Sequence, residues 1–350
     1  MKEFVLDDRA VRDDLFPFSL IRHVADIRIG IVTIREKWEI LLDQRVTLHS
    51  DHRLSNDSVI VSANIIPSND FVSSLVQSGM DVACIDFDVC KVIQYPWHIF
   101  HYNDWALRQD FMMLTSKRIS ASIPDTVHFT NPEGIFIEEG AELSHCFLNA
   151  SRGPIYIGKN TEIMEGSMIR GPFALCEGSI VKMGARIYGA TTIGPFCVVG
   201  GEIKNSVIFG YSNKAHDGYL GDAVVGSWCN LGAGTSNSNL KNNAEDVKVW
   251  NPVSERWGNA GMKCGLLMGD YSRSAINSTF NTGTVVGICS NVFGEGLTPA
   301  FIPSFSWGHQ PVEKYEFEKA IRDISNWKKL KNQVVKHEEI IQLKNIFKQS

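Results

Sequence analysis

The sequence predicts a mostly β protein: a left-handed parallel β-helix of hexapeptide repeats, preceded by a small α/β unit and followed by a C-terminal α-helical tail. Three observations predict it. An aliphatic side chain recurs at every sixth position through the middle of the chain, the first third alternates helix-like with strand-like segments, and the last forty residues switch to helical spacing.

The six-residue period is the strongest of the three. It runs Ile157, Ile163, Ile169, Leu175, Val181, Ile187, Ile193, Val199 without a miss. With 44% of residues hydrophobic, eight consecutive hits arise by chance about once in seven hundred trials for a given phase. Neither an α-helix nor an alternating strand has this period. A triangular coil does, because each side is a short strand plus a corner and one aliphatic per side fills the prism. Two residues before these positions, from Ile163 on, stand Thr161, Ser167, Phe173, Ser179, Ala185, Thr191 and Cys197, mostly small, as narrow corners require. The register slips between Gly200 and Leu220 and resumes at Val225 and Leu231. It returns at Met268, Phe280, Val286 and Val292, with Ser274 as a polar member. The polar, Asn-rich stretch Ser238 to Cys264 lies between two in-register stretches and is expected to protrude from one face.

In the N-terminal third, Val24 to Leu42 has helical apolar spacing, Ser58 to Pro67 reads as a buried strand, Asp70 to Gln77 as a helix and Met80 to Phe87 as a strand. From Pro311 on, Phe317, Ile321, Ile324, Leu330, Val334, Ile341 and Phe347 recur at mostly helical steps. That tail is expected to pack on the solenoid end or on a neighbouring subunit. The expected division is an α/β unit over 1–116, a linker over 117–133, the β-helix over 134–300 and the helical tail over 311–350.

Composition narrows the function classes. The 350 residues include 21% charged, an ordinary globular value, and the net charge is -5. A general nucleic-acid binder needs a basic excess to displace phosphate counterions, so nucleic acid is not an expected partner. Acids at Asp7 and Asp8 stand where a secretion signal needs an apolar run, and no uncharged apolar stretch reaches bilayer length; a cytoplasmic location without membrane contact is expected. The eight cysteines at 84, 90, 146, 176, 197, 229, 264 and 289 show no metal-site spacing and read as buried hydrophobes.

Chemistry concentrates in Ser212 to Asn243, SNKAHDGYLGDAVVGSWCNLGAGTSNSNLKNN. Through His216, Tyr219, Leu220-Gly221-Asp222, Asn230, Gly232-Ala233-Gly234-Thr235 and Asn239, this stretch resembles the active-site coil of glucosamine-1-phosphate N-acetyltransferases. It is still more similar to archaeal-type sugar-1-phosphate nucleotidyltransferases that carry an acetyltransferase domain. The resemblance implies transfer of an acetyl group from acetyl-CoA to an amino sugar, as sugar 1-phosphate or nucleotide sugar, by a homotrimer with a cleft shared between neighbouring solenoids. It implies that Ala233, Gly234, Ala275 and Ile276 line the coenzyme cleft. Tyr219 and Asn230 would contact the substrate, and Lys204, with Arg186 and Lys248, would meet the sugar phosphate.

Moving an acetyl group onto a sugar amine needs a base, and histidine titrates nearest neutrality, so His216 is the candidate. A histidine hydrogen-bonded at a coil corner is the structural alternative, which the flanking motif disfavours. Asn239 can return one coil later with its amide on the reacting carbonyl or the sugar. The neighbouring Asn237, Asn242 and Asn243 leave a plain turn residue as the competing reading. Zinc chemistry would need three histidines from adjacent coils, whereas the solenoid offers His145 and His216; no metal is expected there.

The first unit resembles a shortened sugar nucleotidyltransferase domain through Val5 to Asp8, Leu15 to Phe18, Arg22, Ala25 to Trp38 and Tyr95 to Asp104. In that family a glycine-rich loop lets backbone amides surround a triphosphate; here the bulky Val5-Leu6-Asp7-Asp8-Arg9 stands in its place. Mg²⁺ is expected only if this unit is active. Two alternatives to acetyl transfer therefore stand: nucleotidyl transfer in the N-terminal unit, and a non-catalytic trimeric scaffold or sensor.

Overall fold

A computed structural model describes residues 3–49, 58–77 and 89–350. The six-residue ladder becomes the lining of a parallel β-solenoid. Ile157, Ile163, Ile169, Leu175, Val181, Ile187, Ile193 and Val199 are all buried to 2% exposure or less. Successive sides of each coil add one strand to each of three sheets. Sheet one has nine strands from Ile135–Ile137 to Phe301–Ile302. Sheet two runs from Glu142–Leu143 to Ser306–Trp307 and ends in an antiparallel strand at Glu313–Lys314. Sheet three runs from His128–Thr130 to Tyr219–Gly221 and is then interrupted.

Small polar residues near the corners close hydrogen bonds between coils rather than merely fitting. Ser179 Oγ donates to the Gly194 carbonyl at 2.6 Å and accepts from the Cys197 amide at 2.9 Å. Ser274, the polar ladder member, shares a 2.9 Å bond with Thr235 Oγ1 inside the prism, so its hydroxyl is buried with a partner. The slip after Gly200 is a shortened coil in which Thr192 pairs with Val207. That register carries Lys214, not an aliphatic, into the inward position between Val199 and Leu231.

The segment Ser238 to Cys264, expected to protrude, instead folds back on the molecule. Its strands Lys248–Asn251 and Arg256–Asn259 form an antiparallel hairpin. Val247 and Val249 enter the same buried cluster as Trp97 and the N-terminal core. Gly258 lies so close to Trp97 that a Cβ would stand 2.3 Å from its ring. Apolar side chains alternating along one strand face had a surface to cover, and the N-terminal unit supplies it.

That unit holds a three-stranded parallel sheet, with Phe4–Asp7 between Thr47–Leu48 and Val59–Ser62, and the helices α1 (Ile34–Leu42), α2 (Asn69–Gln77), α3 (His98–His101) and α4 (Asn103–Thr115), of which α4 lies against sheet one of the solenoid. The helix expected over Val24 to Leu42 is broken: a 3₁₀ turn covers Val24–Asp26, and α1 begins at Ile34. Thr33 and Glu36 start it with reciprocal cap bonds of 3.2 and 2.7 Å. Just before it, Gly30 turns at φ 70° and the Ile31 amide is taken by Asp110 at 2.7 Å. The strand expected over Ser58 to Pro67 is two, Val59–Ser62 and Ile65–Ile66. The strand expected over Met80 to Phe87 lies outside the described residues. The whole unit is stapled to sheet one. Asn103 Nδ2 donates to the Ala190 carbonyl at 3.0 Å, Thr192 Oγ1 donates to the Gly30 carbonyl at 2.9 Å, and Arg22 pairs with Asp270.

The tail forms α5 (Phe317–Lys329) and α6 (His337–Gln349), which bury Phe317, Ile324 and Leu343 with Phe305 and Tyr271 of the last coils. Lys328 Nζ bridges the two helices to Glu339 at 2.6 Å. Seven cysteines are free and buried; Cys84 lies outside the described residues. Among the described residues no helix is long and apolar enough to cross a membrane, and no three His, Cys, Asp or Glu side chains gather as a metal site.

Candidate functional site

One corner of the solenoid, between sheets two and three, is built from unusually small residues: Gly200-Gly201, Ala215, Gly232-Ala233-Gly234 and Ala275. Coils stack so tightly there that a Cβ on Gly232 would lie 2.5 Å from the Ala275 backbone. The small residues leave a groove of about 470 Å³ lined by Asn230, Ala233, Ile276 and His216 on the solenoid side. Gly234 and Ala275 belong to the same corner turns. His216 is exposed at the groove, just before the strand Tyr219–Gly221 enters sheet three.

On the outward face of sheet three, around the edge from the groove, the register aligns Arg186 with Glu202 and Tyr219, and Tyr188 with Lys204 and Gly221. Arg186 Nε lies 3.6 Å from Glu202 Oε2, and Lys204 is exposed. Asn239 reaches the same place one coil on: its Nδ2 donates to Tyr219 Oη at 3.1 Å and to Asp222. Asn205 supplies a second donor to Asp222 at 2.6 Å. Burial, with the Asp222 charge adding to it, pushes the Tyr219 phenol up to about 12, so it stays a neutral donor and acceptor at physiological pH.

The structure thus brings the candidates together in two adjoining groups. His216, Asn230, Ala233, Gly234, Ala275 and Ile276 gather at the corner groove; Arg186, Lys204, Tyr219 and Asn239 gather on the neighbouring sheet face. Lys248 joins neither: it lines a separate hollow with Lys241, Trp257 and Asn281, because its hairpin folds toward the N-terminal unit.

Two residues of the site escape a motif reading. Lys214 is 2% exposed, and its ammonium donates to the carbonyls of Gly200 at 3.0 Å and His216 at 2.8 Å. Burial lowers it to about 8, against an opposing pull from Asp217. It anchors the backbone that carries His216. Gly201, at φ 71°, leaves the space: a Cβ there would meet the His216 carbonyl at 2.8 Å and Lys214 Nζ at 2.9 Å. Carrying the ladder through the slip, Val199, Lys214, Leu231, is the signal that finds it. Asn237 is the second. Its amide accepts from the Gly221 amide at 2.9 Å and donates to the Gly221 carbonyl at 3.0 Å, mending sheet three where the backbone ladder is interrupted.

In the N-terminal unit the loop after Phe4–Asp7 sits at the carboxyl end of its strand, where open α/β sheets bind ligands. Its acids are already engaged. Arg9 folds back on Asp7, with Nη2 to Oδ2 at 2.7 Å, and Asp8 accepts from Arg12 at 2.7 Å and from the Val24 amide at 3.1 Å.

The fold and these two adjoining groups define a hexapeptide-type parallel β-solenoid with a corner groove and a polar face beside it. The chain is similar to several known proteins. Residues 4–83 match the sugar nucleotidyl transferase family. The chain is 32% identical over 212 residues to the bifunctional sugar-1-phosphate nucleotidylyltransferase/acetyltransferase of Sulfurisphaera tokodaii, covering 58% of this chain and 47% of that protein. It is 26% identical over 279 residues to the bifunctional protein GlmU of Methanococcus maripaludis, covering 75% of this chain and 59% of the relative. The chain therefore spans about half the length of these relatives. The solved structure of the polySia-specific acetyltransferase NeuO covers 58% of this chain at 13% identity and a TM-score of 0.30, a likeness too loose to bear on activity.

Proposed function

We propose that the protein is an acyl-CoA-dependent transferase that acetylates the amine of an amino sugar, carried as a sugar 1-phosphate or nucleotide sugar. The observation that carries this reading is the position of His216, at the junction of a groove able to take the thioester donor and a sheet face bearing Arg186, Lys204, Tyr219 and Asn239. The groove volume lies in the range of small-molecule sites, roughly 300–1,000 Å³.

In the reaction the sugar nitrogen attacks the thioester carbonyl carbon while His216 takes a proton from that nitrogen. Charge develops on the carbonyl oxygen, where the Asn230 amide at the groove can donate to it, while Asn239, whose amide protons go to Tyr219 and Asp222, holds those two side chains in place beside the sugar. Collapse of the tetrahedral intermediate breaks the carbon–sulfur bond, and the departing thiolate takes the proton back from the imidazolium. Arg186 and Lys204 supply cationic groups for the sugar phosphate.

The same reading includes a homotrimer and a cytoplasmic location. Sheet one is covered by the N-terminal unit and the end of sheet two by the tail, but sheet three exposes Phe147 and Met168, at 45% and 54%, beside Arg186 and Tyr188. A neighbouring solenoid on that face would complete the acceptor site. In the N-terminal loop Asp7 and Asp8 pair with Arg9 and Arg12, and bulky side chains stand where glycines would open the backbone to a triphosphate; nucleotidyl transfer there is expected to be weak or absent.

Thiol release from acetyl-CoA, assayed against a panel of amino-sugar phosphates, tests the proposal. His216→Ala should lower turnover by about 10²- to 10⁴-fold with donor binding retained. Full activity in that variant overturns the assignment of the base. Strong pyrophosphate release from a sugar phosphate and a nucleoside triphosphate would establish the nucleotidyltransferase alternative.

A further inference from the structure

The groove at His216 has a second wall, and the C-terminal hairpin builds it. Trp327, Leu330 and Lys331, at and just beyond the end of α5, line the groove together with His216, Ala233 and Ile276. A tail that served only to cover the solenoid would turn its apolar side chains inward. Here Leu330 is 74% exposed and Ile276 on the solenoid side is 70% exposed, so the groove keeps apolar surface that neither element buries.

The hairpin is fixed by contacts outside the groove. Lys328 bonds Glu339 at 2.6 Å and lies 5.4 Å above the Trp228 ring, and the Arg273 guanidinium stacks on Trp327 at 5.5 Å. Lys331 Nζ donates to the Phe196 carbonyl at 3.0 Å. An ammonium has three protons, so two are left for a ligand, and Lys331 pairs with no carboxylate among the described residues.

We propose that the α5–α6 hairpin forms, within the same chain, the second wall of the donor site, with Trp327 and Leu330 holding the apolar arm of acetyl-CoA and Lys331 meeting one of its phosphates. This rests on the acyl-transfer reading. The chemistry of the donor selects these residues. A pantetheine thioester is a largely apolar chain between a reactive carbonyl and a diphosphate, so its site needs a base, apolar walls and a cation. His216, the walls Ile276, Trp327 and Leu330, and Lys331 supply the three. Two walls of the donor site then come from a single chain, and a neighbouring solenoid would add to them and to the acceptor face on sheet three.

Isothermal titration of acetyl-CoA into the full-length chain tests this with Leu330→Asp and Lys331→Glu. Each should raise Kd by about tenfold or more, while the KM for the sugar acceptor and the thermal midpoint stay unchanged; Lys329→Glu, next in sequence but outside the groove, should bind as wild type. Amide exchange over residues 327–331 should also slow when acetyl-CoA binds. Wild-type binding that both groove variants leave unchanged, with no protection of 327–331, overturns the tail's role alone. No acetyl-CoA binding by the wild-type chain overturns this inference and the acyl-transfer reading together.

Discussion

Lys214 shows how a single side chain is decided by its place in the coil. In the string Asn213-Lys214-Ala215-His216 it looks like a solvated residue, yet the alternation of a strand sends Asn213 outward and Lys214 into the prism. Burial lowers its pKa to about 8 from an ordinary 10.5. Between those values the unfolded chain holds the proton and the folded chain does not, so stability should climb as pH rises from about 8 toward 10.5; below 8 both states are protonated and the contribution is flat. Comparing urea midpoints of wild type and Lys214→Met at about pH 7.5 and 9.5 should show the climb in wild type and its loss in the variant. An equal climb in both would mean that Lys214 is solvated. His216 itself was legible from its motif; Lys214 was not, because only the coil register reveals which way it points.

At the scale of elements, one buried ion pair supports the join between the N-terminal unit and the solenoid. Lys37 of α1 pairs with Asp110 of α4, both at 2% side-chain exposure. Asp110 also accepts from the Ile31 amide at 2.7 Å and the Val32 amide at 3.3 Å, so it pins the Gly30 turn that meets Thr192 of sheet one. Burial lowers Lys37 and raises Asp110 while each opposes the shift in the other. Removing one partner strands the other charge. Lys37→Met should therefore cost about 3–5 kcal/mol in chemical denaturation, comparable to the roughly 2–5 kcal/mol expected for Ile187→Ala in the solenoid ladder. A loss under about 1 kcal/mol would show that water reaches Asp110. The broken helix over Val24 to Leu42 has the same origin: apolar spacing alone reads as helix, but Gly30 and the reach of a carboxylate from a distant helix bend the chain there.

For the whole molecule, the three sheets are treated unequally. Sheet one is covered by the N-terminal unit and only the end of sheet two by the tail, and the third keeps Phe147, Met168 and Tyr188 exposed in register with Arg186 and Lys204. If copies of the chain associate through it, Met168→Glu should turn a trimer into monomers, because a charge would replace an apolar contact repeated at each interface. Light scattering after size exclusion reads the outcome, and a wild-type monomer at micromolar concentration would count against a shared acceptor site.

What the sequence by itself determined is whatever repeats locally. The six-residue ladder needs only one aliphatic per side to specify a triangular coil, so the solenoid and its corner turns could be read from spacing, while the motif around them marked His216 and Asn239 as candidates. What only the tertiary structure decided depends on pairs distant in the chain. The Asn-rich insertion folds inward because Trp97 stands where Gly258 can meet it. Lys248 leaves the sugar-phosphate candidates because its hairpin goes with that insertion. The wall opposite His216 comes from Trp327, Leu330 and Lys331, a helix end more than a hundred residues away that local periodicity marks only as a helix. Periodicity carries information about one element's own faces; which foreign surface each face meets is set by packing, and the groove exists only where two such surfaces stop short of contact.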